Sequence, residues 1–331
     1  MRITTNMIRR NYQNNLNSTM SGLEQARRQV ETGRRFAHSY EDPSAAARGS
    51  VLETRYARNA DYTNTVKTVQ KWQDTQEDSI TQLSSMAKEI DKNYSTAAMS
   101  DSAGDTGRSA YAQNLRSLQQ SMIITLNAKY GNTYVMAGND GSNAPFELSQ
   151  DGKVLYRGLD VNDPANEAVM KELSQEHSYV DLGYGFTFSG GEVVPSSAFD
   201  AAFPGVNAVG YGQTADGTSK NLIVLAGQMA DLLEKDHFDS AAYEKLWTQF
   251  NKGSDDMRNQ LTGLGTKTQL LDSTLNRLEN EKLNITEQYK NDVNIDEAEA
   301  ITNFSWAQYV YNVALKIGTS IFSQSLLDFM R

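Results

Sequence analysis

The residues of this sequence best equipped for chemistry are three histidines, a knot of carboxylates and a glycine-rich lysine loop. His38, His177 and His237 are the only histidines, and none stands in HExxH or another metal-ligand spacing. Each reads as a surface residue. Asp292, Asp296, Glu297 and Glu299 lie close together and could hold a cation. Carboxylates at the start of an apolar helical run also complement its free N–H groups, and capping is the stronger reading. Gly263-Leu-Gly-Thr-Lys-Thr268 has the residue types of a phosphate loop but lacks the GxxxxGK[ST] frame. Asn139-Asp140-Gly141 and Asp216-Gly217 are turn sequences and do not complete an EF-hand calcium loop. A GxSxG elbow is absent, and the sequons at Asn17, Asn93, Asn284 and Asn303 fall in helical patterns. Cysteine is absent too, which removes disulfides, thiol catalysis and cysteine metal sites together. The reading is a non-enzyme with no catalytic residue, no metal and no cofactor.

What remains is structure, and its spine is the stretch Met257 to Tyr289. At alternating steps of four and three it reads Met257, Leu261, Leu264, Thr268, Leu271, Leu275, Leu278, Lys282, Ile285, Tyr289. A sustained seven-residue repeat places one apolar seam along a helix and demands partner helices. No proline interrupts it, and at 1.5 Å per residue it would run roughly 50 Å. The expectation is a coiled-coil rod whose internal seam is Leu261, Leu264, Leu271, Leu275, Leu278 and Ile285.

Partner helices are legible on the N-terminal side. Residues 1–35 carry a thin stripe of Ile8, Tyr12, Leu16, Met20, Leu23 and Val30 at helical spacing. This end is locally basic. Its apolar face holds few large residues, which favours a partner helix over a membrane surface. The stripe breaks at Thr32-Gly33-Arg34-Arg35. Asp42-Pro43 then reads as a helix cap followed by a proline in the first turn. The helix that follows continues through Val66, Val69, Ile80, Leu83, Ala87, Ile90 and Tyr94. Residues 100–108 read as a loop, and a second seam follows at Tyr111, Leu115, Leu118, Met122 and Leu126.

Composition changes at Gly131. From there to Gly217 lie thirteen of the 23 glycines and four of the five prolines. Short β-type runs appear, and Asp151-Gly152 between Phe146–Leu148 and Val154–Tyr156 is a hairpin signal. Twelve Asp or Glu face three Lys or Arg here, a balance of −9 against −10 for the whole chain. Residues 131–217 therefore read as a small, acidic, β-containing outer domain inserted between two helical halves. Helix resumes at Asn221 and is interrupted at Asn291–Asn294. The final helix shows Ile301, Phe304, Tyr311, Leu315, Phe322 and Leu326 on one side. Trp306, Val310, Val313, Ile317 and Ile321 widen its apolar face. It closes with Leu326, Leu327 and Phe329, too apolar an end to stay exposed.

The acidic balance argues against nucleic acid, and no apolar run is long enough to span a membrane. The N-terminal stretch has no apolar core of a Sec signal, so export, if it occurs, is expected by another route.

Both ends then carry a resemblance. Met1-Arg-Ile-Thr-Thr-Asn-Met7, the Thr32–Phe36 break and Glu41-Asp-Pro-Ser-Ala-Ala-Ala47 resemble the N-terminal region of the flagellin superfamily of bacterial flagellar axial proteins. Asp292-Val-Asn-Ile-Asp-Glu-Ala298, Trp306-Ala-Gln-Tyr-Val-Tyr311 and Phe322-Ser-Gln-Ser-Leu-Leu-Asp-Phe-Met330 resemble its C-terminal partner. The ending, and the Gly131–Gly138 run with Ala144-Pro-Phe146, are similar to the hook-associated protein 3 family, the flagellin-like proteins of the hook–filament junction. The resemblance implies a mainly α protein, an elongated coiled-coil rod built from 36–130 and 218–291. It implies terminal helices at 1–35 and 292–331 that are disordered in the free subunit and fold in the assembly. Ile8, Leu16, Met20, Leu23, Val30, Phe304, Tyr311, Leu315, Phe322, Leu326, Leu327 and Phe329 would then form the subunit and partner interface. Implied partners are adjacent subunits, the hook-side junction protein (hook-associated protein 1), flagellin, and an export chaperone on the C-terminal region. The implied location is the extracellular flagellum, reached through the flagellar type III apparatus without a cleaved signal. Other readings stay open at this point: a minor filament flagellin, a ligand-binding or enzymatic insert on a helical stalk, or a cytoplasmic coiled-coil signalling protein.

Overall fold

The computed structural model describes residues 5–95, 98–100, 104–235 and 237–329, with side chains described for most of these up to residue 320. Long helices dominate. The helices described are α1 (Thr5–Thr32), α2 (Pro43–Glu89, continued by a π-helical turn Ile90–Ser95), α3 (Gly104–Leu126), α6 (Leu222–Leu233), α7 (Ser240–Val293) and α8 (Glu297–Phe329), with the short α4 (Glu167–Ser174) and α5 (Val206–Val209) between α3 and α6. Contacts divide the chain into two units, Met1–Ala60 with Glu279–Arg331, and Asp61–Leu278.

Local chemistry sets the helix starts. Asp42 Oδ1 accepts from Ala45 N at 2.9 Å with Pro43 in the first turn of α2, the cap-plus-proline start the sequence suggested. Asn221 caps α6, accepting from Ile223 N and Val224 N at 3.0 and 3.1 Å. Asp296 caps α8 through Ala298 N and Glu299 N, so this member of the carboxylate knot serves the helix start. Asp292, a second member, faces Arg48 at 3.0 Å. α3 begins at Gly104, so the loop expected over 100–108 is shorter than its small polar residues suggested.

In the larger unit, α2 and α7 lie against each other along the seam. Gln70 Nε2 donates to Asp272 Oδ1 at 2.7 Å, and Thr268 Oγ1 to Glu77 Oε2 at 3.1 Å, an antiparallel order. Every seventh residue of α7 here is buried: Met257, Leu264, Leu271 and Leu278, with Leu261 and Leu275 half-buried. Arg116 of α3 clamps α6, with Asp231 at 2.6 Å and Glu234 at 2.8 Å.

Between α3 and α6 the chain makes short antiparallel strands. β1 (Lys129–Tyr130) pairs β2 (Thr133–Tyr134). β3 (Phe146–Leu148), β4 (Val154–Tyr156) and β5 (Leu159–Asp160) form a meander with Phe146 opposite Tyr156, the hairpin marked by Asp151-Gly152. β6 (Tyr179–Val180) pairs β9 (Phe199–Asp200), and β7 (Phe188–Ser189) pairs β8 (Glu192–Val193). The β4–β5 turn carries Arg157 at φ +50° and Gly158 at +82°. That is a two-residue hairpin turn with both central residues left-handed, and Arg157 is held there by Glu176 at 2.7 Å.

Packing does not divide at Gly131 and Gly217, where composition placed the borders of an inserted domain. Phe146, Val154, Tyr156 and Met170 share one buried cluster with Leu115, Met122, Leu222 and Leu225. Strands of two or three residues bury too little to close a core alone, so they complete the helical one. A smaller cluster joins Val66, Val69, Leu182, Phe199, Leu271 and Leu278.

Candidate assembly interface

The other unit contains α1, the start of α2, the end of α7 and α8, and it holds most of the residues the sequence singled out as an interface. Two ties set α1 against α8. Tyr12 OH donates to Ala314 O at 3.0 Å, and Ile295 N donates to Gly33 O at 3.1 Å, with Arg35 N on Val293 O at 2.8 Å. Residue 12 meets 314 while 33 meets 295, so the helices run antiparallel. Arg34 and Asn294 form an antiparallel bridge between the two interhelical linkers. Gly33 stands at φ +65°, the left-handed helix end that only a residue without Cβ adopts cheaply. The Gly33 and Asn294 breaks, read separately as interruptions, are one paired joint.

The facing seam keeps the heptad step on both helices. On α1 it is Tyr12, Leu16, Thr19, Leu23 and Ala26; on α8 it is Ala300, Phe304, Ala307, Tyr311, Ala314 and Gly318, all buried or half-buried. Small residues let the backbones approach. A Cβ built on Gly318 would collide with the Tyr12 hydroxyl. Leu16, Leu23, Phe304 and Tyr311 thus lie in the intramolecular pair. Ile8, Met20, Val30 and Leu315 face solvent. Phe322, Leu326, Leu327 and Phe329 lie outside the residues whose side chains are described.

A second apolar face lies outside that seam. Trp306 and Tyr309 are 66% and 59% exposed, and Ile301, Val313 and Ile317 are exposed with them. The Trp306 and Tyr309 rings lie 5.6 Å apart. From Glu299 to Lys316 the helix carries no charge between them. In the sequence, Tyr309 is read only inside the Trp306–Tyr311 motif and on neither apolar stripe, although Trp306, Tyr309, Val313 and Ile317 repeat at steps of three and four. On α7, Ile285 is buried in this unit and Tyr289 OH donates to Glu53 Oε1 of α2 at 2.9 Å.

Among the groups equipped for chemistry, His177, His38 and Lys267 are engaged structurally. His177 Nδ1 meets Asp200 Oδ2 at 2.8 Å and stacks on Tyr179; His38 stacks on Tyr40. Lys267 Nζ donates to Asp200 O at 2.8 Å, and burial pushes its ammonium below the ordinary lysine range. Among the described residues no three His, Cys, Asp or Glu converge as a metal site, and no helix is long and apolar enough to cross a membrane. The geometry supplies apolar surface and helix seams.

Comparison with known proteins follows the same lines. Residues 3–140 match the family described as the bacterial flagellin N-terminal helical region. The chain is 22% identical over 340 aligned positions to flagellar hook-associated protein 3 of Salmonella typhimurium, covering 100% of both chains. Its fold resembles that of a Vibrio parahaemolyticus protein provisionally described as flagellar hook-associated (TM-score 0.59, 16% identity, covering 77% of this chain and 100% of that one). It also resembles Bacillus cereus FlgL (TM-score 0.52, 14% identity, 72% and 99%).

Proposed function

We infer that this flagellin-like chain, similar end to end to hook-associated protein 3, is a structural component of the bacterial flagellum and the adaptor between hook and filament. One observation in the molecule carries the reading: the charge-free, aromatic outer face of α8, left uncovered by α1. Monomeric proteins rarely leave such a stripe open. Burying each large side chain contributes about 2 kcal/mol, so a neighbour that covers Trp306, Tyr309 and Ile317 gains several such increments.

On this reading Ile8, Met20, Val30 and Leu315, with Phe322, Leu326, Leu327 and Phe329, build the surface through which terminal helices meet neighbouring subunits, while Leu16, Leu23, Phe304 and Tyr311 join α1 to α8 within the subunit. The thin stripe of α1 offsets little of the roughly 1–2 kcal/mol per residue that backbone ordering costs, so assembly orders what the free subunit does not. The partners are adjacent copies, the hook-side junction protein (hook-associated protein 1), flagellin, and an export chaperone on the apolar C-terminal region. The route is the flagellar type III apparatus. No catalytic step is assigned. Leu261, Leu264, Leu271, Leu275, Leu278 and Ile285 act as the internal seam.

Immunogold electron microscopy of intact flagella, with an antibody against residues 131–217, tests the assignment. A single cluster where hook meets filament is expected. Label along the whole filament would make the protein a flagellin, and absence of flagellar label would overturn the reading.

A further inference from the structure

A helical assembly needs heterologous contacts, in which one patch of a subunit meets a different patch on the next. The unit built from the chain ends holds one convex and one concave apolar patch. The convex one is the Trp306–Tyr309 pair on α8. The concave one is a cleft of about 380 Å³ between α2 and α7, lined by Leu52, Glu53, Tyr56, Ile285, Thr286 and Tyr289. Leu52 and Ile285 form its buried floor, and Tyr56 is an exposed wall.

We propose that this cleft receives the Trp306 side chain of a second copy of this chain. The proposal rests on the assembly role inferred above and deepens it by naming where on the neighbour α8 docks. Three observations argue for this occupant. First, the cleft is walled by apolar and aromatic groups, which suits an indole, the largest apolar side chain left exposed on α8. Second, the cleft's carboxylate, Glu53, accepts one hydrogen bond, from Tyr289 OH at 2.9 Å, and a carboxylate can accept more. Among the described residues the Trp306 indole N–H has no hydrogen bond. The same pairing already occurs inside the molecule, where Trp247 Nε1 donates to Asp91 Oδ1 at 2.7 Å. Third, the stretch of α8 around Trp306 carries no charge between Glu299 and Lys316, so docking places no unpaired ion against the apolar floor.

The chain has no cysteine, so introduced thiols report without background. Chains carrying Trp306→Cys, Tyr56→Cys, or both would be assembled on hook tips and oxidised with copper–phenanthroline. The double variant is expected to give a ladder of linked subunits, and a mixture of the two single variants a mixed dimer. Each single variant alone should stay monomeric. Dimers from Trp306→Cys alone would place tryptophan on tryptophan and overturn the proposal. Should the tryptophan variant fail to assemble, a benzophenone amino acid at Tyr56 keeps Trp306 in place. Its cross-link is expected within residues 301–317 of a neighbour, and a link elsewhere would overturn the proposal. Normal assembly at the tip with no cross-link would also overturn it while leaving the junction role intact. Wild-type protein that never adds to hook tips would instead sink the role itself.

Discussion

Gln73 and Gln76 stand one turn apart on α2, both without solvent exposure, and opposite effects are expected when each is changed to leucine. At Gln73 neither Nε2 nor Oε1 has a hydrogen-bond partner among the described residues. A buried polar group in that state costs about 1–3 kcal/mol of lost hydration, and leucine fills a similar volume without polar atoms. Gln73→Leu should therefore raise the unfolding free energy by about 1–3 kcal/mol. Gln76 differs because its Nε2 donates to Val135 O at 2.8 Å, with a longer approach to Ala201 O at 3.5 Å. Its Oε1 is unpartnered. Leucine at 76 removes that orphan acceptor but orphans the buried Val135 carbonyl, and these two terms roughly cancel. What remains is the lost hydrogen bond, a destabilisation of about 0.5–1.5 kcal/mol. Urea unfolding followed by circular dichroism reads both; in melting temperature, 1 kcal/mol corresponds to about 2–4 °C for a unit of this size. Shifts of the same sign would refute the argument. So would a loss above about 1 kcal/mol for Gln73→Leu, since the amide must then be hydrogen-bonded in solution.

Two further outcomes follow from the same packing. Leu271→Ala empties a site walled by Val66, Val69, Leu182 and Phe199 and is expected to cost about 2–5 kcal/mol. Leu283→Ala, on the same helix at 63% exposure, should stay within about 0.5 kcal/mol; equal losses by urea titration would end the seven-residue reading of α7. Burial pushes the Tyr243 hydroxyl up to about 12, above its unfolded value near 10. A raised folded value gives stability that is complete below pH 10 and lost as pH climbs toward 12, on the order of 2–3 kcal/mol. Tyr243→Phe should flatten that alkaline decline, and an unchanged slope between pH 10 and 12 would remove Tyr243 from its cause.

The helical architecture was legible because its signals are periodic and local. Leu264, Leu271 and Leu278 repeat at seven, and the capping residues Asp42, Asn221 and Asp296 stand immediately before the helices they start. The border of the β-containing stretch was not legible. Glycine, proline and charge report turns and exposure, whereas Phe146 and Tyr156 reach their partners Leu115 and Leu222 only through tertiary packing. Gln73 and Gln76 were invisible for a related reason. A glutamine in a polar helix reads as surface until the chain that covers it is in place.

The interface residues separate in a way that periodicity alone hid. An apolar position on α8 was expected to be an interface position, yet the helix sorts its side chains by size. Against α1 it presents Ala300, Ala307, Ala314 and Gly318 alongside Phe304 and Tyr311, and outward it presents Trp306, Tyr309, Val313 and Ile317. Alanine and glycine allow close approach but remove little area from water, and stabilisation scales with that area. An antiparallel helix pair meant to stand alone would turn its largest residues inward. This one turns Phe304 and Tyr311 inward but keeps Trp306 and Tyr309 outside, so on the proposed assembly role part of the stabilisation available to its terminal helices is realised only when another molecule covers α8. On that role, the outward placement of Trp306 and Tyr309, more than the apolar count, makes the pair half of an interface.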